Sequence, residues 1–315
     1  MERPNGPIAL SLAQPEIADD HAARSRAGLL SGVVAYIMWG FLPLLFAGLE
    51  KAGPVTIVAD RTIWSLLLVG IIVSLSRRGG EVRAALTDFA TMRTLFVSSV
   101  LLAINWLIYV YAVSTDQVLE GSFGYFINPL VNVALGMALL GERQNRWQGV
   151  AIVIAVVAIA VQAIGVGRIP YIALGVAVSF ALYGYVRKIA KVESLTGLFT
   201  ETLILTPLSV IYLGYTFWRD GGIGIHADPY YLTLLILTGP ATALPLLAFA
   251  FAVRRLRLTT IGMLQYIGPS IQFLLAIFVL RESINLIQLL SFALIWLSLV
   301  VYSADSIFGR KRVAG

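Results

Sequence analysis

The sequence contains no cysteine, and its two histidines, His21 and His226, lie far apart along the chain. The lack of cysteine excludes disulfides, thiolate nucleophiles and thiolate-bound metals. Two isolated histidines do not form a metal-ligand pattern, so we expect no metal and no cofactor. A Gly-rich phosphate-binding loop followed by Lys and Ser or Thr is also missing, which argues against nucleotide hydrolysis.

Charged residues are scarce, at 13% of the 315 residues, whereas hydrophobic residues make up 58%. A soluble domain has about 25% charged residues, so too few charges are present here to cover a water-facing surface. Ten apolar segments have the length of about 20 residues that a helix needs to cross a bilayer. We therefore predict an all-α membrane protein with ten transmembrane helices. The segments lie at about 27–49, 54–76, 94–115, 119–140, 147–165, 170–188, 195–218, 230–252, 258–280 and 284–304.

The basic residues are unevenly divided between the two sides that these segments define. If the amino terminus is cytoplasmic, 18 of the 23 lysines and arginines fall on the cytoplasmic side, and four fall on the other side. Those four are Lys51, Arg168, Arg219 and Arg281, and the remaining residue, Arg61, lies within the second segment. Because cytoplasmic loops carry the excess of basic residues, the sequence predicts cytoplasmic termini. The net charge of +6 then lies along the membrane face, and we expect no nucleic-acid partner.

An internal repeat relates the two halves of the chain at an offset of 140 residues. The stretch that begins at Gly121 matches the stretch that begins at Ile261, so that Pro129 corresponds to Pro269. Each copy holds five segments, and this odd number makes the second copy enter the membrane from the opposite side. Such inverted repeats are typical of secondary transporters. The alternative is a relic of duplication in a static protein.

The repeat divides the chain into four predicted parts. They are a mobile cytoplasmic tail (1–26), a first five-helix repeat (27–165), a second five-helix repeat (170–305) and a basic cytoplasmic tail (306–315).

Several stretches resemble the RarD group of EamA transporters, within the drug/metabolite transporter superfamily. They are residues 119–132 (LEGSFGYFINPLVN), 141–143 (GER), 61–65 (RTIWS), 173–184 (ALGVAVSFALYG) and 265–269 (QYIGP). The resemblance covers nearly the whole chain. It implies a multi-pass permease of the bacterial inner membrane, with ten helices and a central cavity. Members of the group are commonly linked to chloramphenicol sensitivity.

This chain departs from the group at one position of the second helix. Members often have a histidine before the arginine of that helix, where this chain has Asp60. A proton-carrying role that depends on that histidine therefore does not carry over to this protein.

Interruptions by Gly and Pro at corresponding places in two halves point to a transport site. Here Asn128-Pro129 and Gly268-Pro269 each lie about ten residues into a predicted helix, near the membrane midplane. Proline frees a carbonyl one turn back, which either bends the helix or binds a solute. An ordinary packing kink is the alternative interpretation.

Polar and aromatic side chains follow the helical spacing on the faces that carry these prolines. Because amides in hydrocarbon need partners, we expect these faces to turn towards a central cavity. The predicted cavity residues are Tyr36, Trp39, Asn105, Tyr109, Tyr125, Asn128, Pro129, Asn132, Tyr183, Gln265, Gly268, Pro269 and Gln272. The alternative is that the amides only join helices and that the aromatic residues only anchor interfaces.

Three ionisable residues lie within the predicted helices: Asp60, Arg61 and Glu201. Arg61 and Glu201 correspond under the 140-residue offset and have opposite charges, so we expect them to pair, directly or through water. The pair would be either a static link or a coupling site at which Glu201 takes up a proton. Glu142 and Glu282 each precede a predicted helix, and we expect both to cap helix amino termini.

These features favour a secondary transporter that exports a small organic metabolite or a drug such as a chloramphenicol-like compound. Its expected partners are this small molecule and the lipid bilayer. An enzyme would need clustered histidines, carboxylates or a nucleophile near a membrane surface, and the sequence has no such cluster. A scaffold or receptor without transport is the alternative function, although it predicts longer loops or an added domain.

The charge division predicts the outcome of reporter fusions. Fusions after Val118 and Gly167 should report the outer side, and fusions after Gly79 and Arg257 should report the cytoplasm, because the basic connections stay inside. Alkaline phosphatase and green fluorescent protein activities measure the two locations. A fusion at the carboxyl terminus that reports the outer side would contradict the predicted topology.

Overall fold

The structure is a computed structural model that describes residues 13–140, 146–220, 222–253, 255–256 and 264–308. Within these ranges the chain forms α-helices, short 3-10 turns and connections, without a β-strand. The α-helices are α1 (Ala13–Ala47), α2 (Pro54–Leu75), α3 (Gly79–Thr87), α4 (Phe89–Ser114), α5 (Val118–Leu140), α6 (Arg146–Val166), α7 (Tyr171–Ile189), α8 (Ser194–Arg219), α9 (Pro229–Val253), α10 (Ile267–Phe278) and α11 (Leu286–Phe308).

Six stretches in the described part of the chain are long and apolar enough to cross a membrane. They are Arg26–Ala47, Pro54–Leu75, Phe89–Ser114, Arg146–Val166, Ser194–Arg219 and Pro229–Phe249. Large apolar side chains remain exposed along these helices, among them Val153 at 63% and Ile211 at 68%. Such surfaces are stable against hydrocarbon and not against water, so the molecule is a multi-pass membrane protein.

The two predicted tails differ from the structure where it describes them. Helix α1 begins at Ala13, so residues 13–26 belong to a helix rather than to a tail. At the other terminus α11 continues to Phe308. A transmembrane helix does not have to end with its apolar residues, because the polar residues beyond them can extend the same helix into the membrane interface. Residues 1–12 and 309–315 lie outside the described residues.

A short helix, α3, lies in the connection between α2 and α4, outside the ten predicted segments. Its side chains Val82 and Ala85 are three residues apart and buried, so they share the face that packs towards the protein. The side chain of Thr196 on α8 donates to Glu81 at 2.9 Å. The helix is therefore held against the end of α8.

The helix predicted over 258–280 is described only from Ile267 to Phe278. Gly268 and Pro269 consequently lie in the first turn of α10 and not ten residues into a described helix. Proline suits this place because the amides of a first turn have no partner within the helix. In contrast, Pro129 lies inside the continuous helix α5. Residues 257–263 are outside the described part of the chain.

Each long helix packs against helices that are distant in the sequence. Helix α1 lies against α9 and α10, α7 lies against α4 and α5, and α2 lies against α8 and α9. Helices α5 and α10 are in contact, as are α6 and α11. The core between them includes an aromatic group in which the ring of Phe292 lies 5.2 Å from Phe123 and 4.6 Å from Phe273.

The connections gather at two ends of the bundle. At the end that we name the basic end, Arg78 binds Glu193 at 2.6 Å and also pairs with Glu81. At the opposite end, Arg168 binds Glu120 at 2.8 Å. The Arg78–Glu193 and Arg168–Glu120 pairs each join a residue of the first half of the sequence to a residue of the second half. They therefore hold the two halves together at both ends of the bundle.

Two helix backbones approach each other closely where α5 crosses α7. A Cβ atom added to Gly124 would lie 2.6 Å from the main-chain oxygen of Ala173 and 3.0 Å from its Cα. Main-chain atoms cannot rotate away as a side chain does. Glycine at this position therefore permits a contact that every other residue would push apart.

We expect Gly124→Ala to destabilise the protein by about 1–3 kcal/mol, the usual cost of overpacking. This sign is opposite to that of helix propensity, which favours alanine by about 0.5–1 kcal/mol. Gly149→Ala is the matched control, because Gly149 lies in α6 and a Cβ there meets no atom within 4 Å. Thermal unfolding in detergent measures both variants. A Gly124→Ala protein as stable as Gly149→Ala would contradict the described packing.

Candidate functional site

Arg61 is buried at the centre of the bundle, with 4% of its surface exposed. Its guanidinium carbon lies 4.2 Å from the ring centre of Trp106 and 5.5 Å from that of Phe46. Its Nε donates a hydrogen bond of 2.5 Å to the hydroxyl of Thr242, which itself donates to the carbonyl of Thr238. The positive charge is thus held by aromatic faces and one neutral hydroxyl.

Aromatic rings lead from this arginine across the bundle. The ring of Phe46 lies 6.4 Å from Tyr109, which lies 5.3 Å from Tyr125. Tyr125 lies 5.9 Å from Phe180, and Phe180 lies 5.9 Å from Tyr183. We call these five residues the aromatic row. It combines side chains of α1, α4, α5 and α7 and ends beside Glu201.

Glu201 is completely buried, and its surroundings come from α4, α7 and its own helix α8. Its carboxylate accepts hydrogen bonds from the hydroxyls of Ser98 and, at 3.4 Å, Tyr183. The guanidinium of Arg187 lies 3.6 Å from the same carboxylate. Gly197 makes room for this cation, because a Cβ at that position would overlap the Arg187 guanidinium.

The expected pair between Arg61 and Glu201 is not formed in this structure. Arg61 contacts Thr242, Trp106 and Phe46, whereas Glu201 has Arg187 as its cation. The repeat offset predicts equivalent depths for the two residues, but it does not say in which direction each side chain projects from its helix.

Arg187 was missed as a site residue because it stands near the end of α7. In the sequence analysis it counted only as one of the basic residues on the cytoplasmic side. The structure turns it back towards the centre, where it is 15% exposed and its Nη1 is buried without a hydrogen-bond partner. The nearby Gly197 is the only sequence feature that fits this position, and glycine alone is too common to identify it.

Asp60, the neighbour of Arg61, projects away from it and binds a histidine. His226 Nε2 lies 2.9 Å from the Asp60 carboxylate, and the indole of Trp64 donates to the other oxygen at 3.3 Å. His226 belongs to the 3-10 turn Gly224–Ala227 between α8 and α9. In the sequence this histidine stands isolated, because nothing in the chain order places it beside α2.

Three of the predicted cavity amides bind main-chain carbonyls of neighbouring helices. Asn105 donates to Val176 at 3.1 Å, Asn128 donates to Ala177 at 3.0 Å, and Gln272 donates to Trp39 at 3.1 Å. These contacts match the alternative in which amides join helices. The Gln272 side-chain oxygen is nevertheless buried without a partner, so this amide keeps one unused acceptor.

Helices α5 and α10 meet as expected from the repeated proline faces. Gln265 donates to the side-chain oxygen of Asn128 at 3.2 Å, and the buried Gly268-Pro269 pair lies in the first turn of α10. Tyr125 donates to Asn105 at 3.3 Å, which links α5 to α4 as well. The side chain of Asn132 is not among those that the structure describes.

Tyr36 and Trp39 form a second aromatic group, apart from the aromatic row. Their ring centres are 5.4 Å apart, and Phe249 of α9 lies 5.9 Å and 5.7 Å from them. Tyr36 is buried, and the main-chain carbonyl of Trp39 accepts the bond from Gln272. The group therefore joins α1 to α9 and α10.

Glu282 caps a helix, although it is not the helix that follows it. Its carboxylate accepts hydrogen bonds of 2.6 Å and 3.0 Å from the amides of Val118 and Leu119, at the start of α5. A carboxylate is favourable there because the first amides of a helix are unpaired and positive. Burial raises the pKa of this carboxyl above its usual range, and the two amide bonds oppose that shift. Glu142 lies outside the described residues.

The site offers recognition groups rather than reaction chemistry. In the searched part of the chain no group of three His, Asp or Glu residues could hold a metal ion. The centre instead presents a buried cation, a row of aromatic faces and a buried carboxylate with its own cation. Such groups bind and orient a solute by charge and by stacking.

Comparisons with known proteins place the chain among transporters. The model of the EamA-like transporter family matches residues 26–163 and again residues 169–304. The protein RarD of Escherichia coli K12 is 38% identical over 93% of this chain and 99% of its own length. An uncharacterized transporter of Vibrio cholerae is also 38% identical, over 90% of this chain and 94% of its own. One crystal structure shares the fold with a TM-score of 0.57 at 18% identity, covering 88% of this chain and 96% of the other.

The contacts of Glu201 predict which arginine is coupled to it energetically. Arg187→Gln leaves a buried carboxylate without its cation, which typically costs about 3–5 kcal/mol. Adding Glu201→Gln should recover part of that loss, so the two changes should be non-additive. Thermal unfolding of the single and double variants in detergent gives the coupling energy.

The matched comparison is Arg61→Gln combined with Glu201→Gln. Because these two side chains share no partner, their effects on stability should add. Non-additivity for Arg61 with Glu201, and additivity for Arg187 with Glu201, would restore the pair expected from the repeat and contradict the structure.

Proposed function

Because the chain belongs to the EamA-like transporter family, it is a membrane transporter and not an enzyme, and we propose that it exports a small organic metabolite or drug as a secondary transporter. Chloramphenicol-like compounds are candidates through the family resemblance. Export would proceed across the bacterial inner membrane by alternating access. The observation that carries this proposal is the packing of the two family-matched segments around a shared centre.

That packing has the pattern expected of two repeats. Let α1, α2, α4, α5 and α6 be exchanged with α7, α8, α9, α10 and α11, in that order. The α1–α9 contact then becomes the α7–α4 contact, and α5–α7 becomes α10–α1, while α2–α8, α5–α10 and α6–α11 remain unchanged. All these contacts occur, which supports two inverted five-helix repeats and ten membrane spans, with α3 in a connection.

Inverted repeats supply a physical route to alternating access. Each half can adopt the conformation of the other, so a state open to one side has a counterpart open to the other side. We propose that the basic end faces the cytoplasm together with both termini, since the basic residues concentrate there. A solute would then bind between the halves and leave at the opposite end.

The proposed cavity is lined by the residues at this shared centre. The aromatic row crosses from the first half to the second, since Tyr125 lies on α5 and Phe180 on α7. The further members of the proposed cavity are the predicted residues Tyr36, Trp39, Asn105, Asn128, Pro129, Asn132, Gln265, Gly268, Pro269 and Gln272.

Glu201 is the proposed coupling residue. The sequence has no nucleotide-binding loop of the Walker type, so the energy for transport would come from an ion gradient or from exchange. Glu201 is buried and shared between a cation and two hydroxyls. Movement of Arg187 away from this carboxylate would favour its protonation, because an isolated charge is costly at that depth.

Metabolite profiling followed by flux measurements tests the transport function. Cells that overproduce the protein should release a compound that cells lacking the gene retain. Proteoliposomes that contain the purified protein should then move that labelled compound, and proteoliposomes without protein should not. Absence of both effects would contradict secondary transport.

We expect Glu201→Gln to fold and to lose the response of flux to an imposed pH gradient. Glutamine keeps a partner for Ser98 and Tyr183, but it carries no titratable proton. Flux of the released compound in proteoliposomes, at equal and unequal pH on the two sides, measures the response. Glu50→Gln is the control, because Glu50 is an exposed carboxylate in the connection after α1.

Two outcomes of this measurement would separate the remaining interpretations. A folded Glu201→Gln protein with an unchanged pH response removes Glu201 from coupling. Loss of the variant from the membrane, with recovery when Arg187→Gln is added, would make the pair a static link.

A further inference from the structure

Arg61 differs from the other deeply buried charges in having no counterion. Among the described residues the buried acids are Asp60, Glu120 and Glu201. Asp60 binds His226, Glu120 binds Arg168, and Glu201 binds Arg187. Each of these carboxylates is therefore neutralised or hydrogen-bonded by a group other than Arg61.

The hydrogen-bonding capacity of Arg61 is also largely unused. A guanidinium has five N–H donors in a fixed planar fork, and the described residues supply one acceptor, the hydroxyl of Thr242. The aromatic faces of Trp106 and Phe46 stabilise the charge from the side. They accept no conventional hydrogen bond from the two terminal nitrogens.

A second polar group near Arg61 also lacks a partner. Tyr109 is only 3% exposed, and its buried hydroxyl makes no hydrogen bond. The ring of Tyr109 lies 6.4 Å from that of Phe46, and the Arg61 guanidinium lies 5.5 Å from the same Phe46 ring. A residue with an unused cationic fork and a residue with an unused hydroxyl are thus both neighbours of Phe46, at the start of the aromatic row.

The cost of this arrangement indicates what it is built to bind. A charge and a hydroxyl that stay unpaired in an apolar interior are both unfavourable. An acidic oxygen pair would satisfy them together, because a carboxylate or phosphate accepts two parallel bonds from guanidinium. The aromatic rings beside them would cover the apolar body of the same molecule.

From these observations we propose that the solute carried by this transporter is a small organic anion whose carboxylate or phosphate binds Arg61 and the Tyr109 hydroxyl. The proposal rests on the transport function proposed above and adds the chemical class of the solute, which excludes neutral chloramphenicol-like compounds without an acidic group. Asp60 does not compete for the cation, because His226 and Trp64 hold it on the other side of α2. Glu282 does not compete either, because its oxygens bind the amides of Val118 and Leu119.

The test uses a uniformly labelled extract of bacterial small molecules, separated by ion exchange into anionic, neutral and cationic fractions. Each fraction is loaded into proteoliposomes that contain the wild-type protein, and release of label is followed. We expect release from the anionic fraction. Subfractions of carboxylates and phosphates, loaded separately, distinguish the two sources of negative charge.

Arg61→Gln should lower this release by about tenfold to a hundredfold, the usual effect of losing a charge-assisted bond. Arg61→Lys should recover part of it, because a charge remains but the planar fork is lost. Arg83→Gln is the matched control, since Arg83 is an exposed arginine on α3, and its release should equal that of the wild type. Size-exclusion profiles in detergent report folding for every variant.

If Arg61→Gln does not fold, Tyr109→Phe replaces it in the test. This change removes only the unpaired hydroxyl, so the protein should fold and bind the anion several-fold more weakly. Release from the neutral or cationic fraction alone would overturn the proposal and leave the transport function intact. Unchanged anion release by a folded Arg61→Gln protein would also overturn the proposal and leave the transport function intact. If Arg61→Gln does not fold, unchanged anion release by Tyr109→Phe has the same meaning. Release from no fraction would contradict the transport function itself.

Discussion

Asn105, Asn128 and Gln272 each donate a hydrogen bond to a main-chain carbonyl of another helix, and the centre of the bundle depends on these bonds. An amide inside an apolar bundle is costly unless it has a partner, so each bond selects one rotation of its helix against the next. Helices α4 and α5 also carry Tyr109 and Tyr125, whose rings lie 5.3 Å apart in the aromatic row. The same bonds that join helices therefore position the aromatic row.

The helices could be predicted from the sequence because a bilayer leaves the chain few alternatives. Solid apolar runs must satisfy their own main-chain groups, so their positions follow from hydropathy. Helices that form in polar stretches cannot be predicted from hydropathy. Helix α1 begins at Ala13 among polar residues, and α3 forms in a polar connection because two buried side chains fall on one face. Neither feature changes the mean hydropathy of a segment enough to be recognised as a membrane helix.

The site could be predicted only in part, for a different reason. Sequence spacing identifies which residues share a face, and it correctly brings the proline faces of α5 and α10 together. It does not give the direction of a long side chain. Arg187 stands near a helix end and folds back to Glu201, while Asp60 reaches a histidine that is 166 residues away along the chain. Partners of this kind arise from tertiary packing, which no local pattern records.

The contact between α5 and α7 has a mechanical consequence. Gly124 touches the main chain at Ala173, and one turn further along both helices Asn128 binds the carbonyl of Ala177. These two contacts are one helical turn apart on both helices, so sliding of α5 along α7 would have to break the Asn128 hydrogen bond. Helix α5 comes from the first half of the sequence and α7 from the second, so these contacts join the two halves across the boundary between them. In the alternating access proposed above, α5 and α7 would therefore move together, and the moving parts would not coincide with the two halves of the sequence.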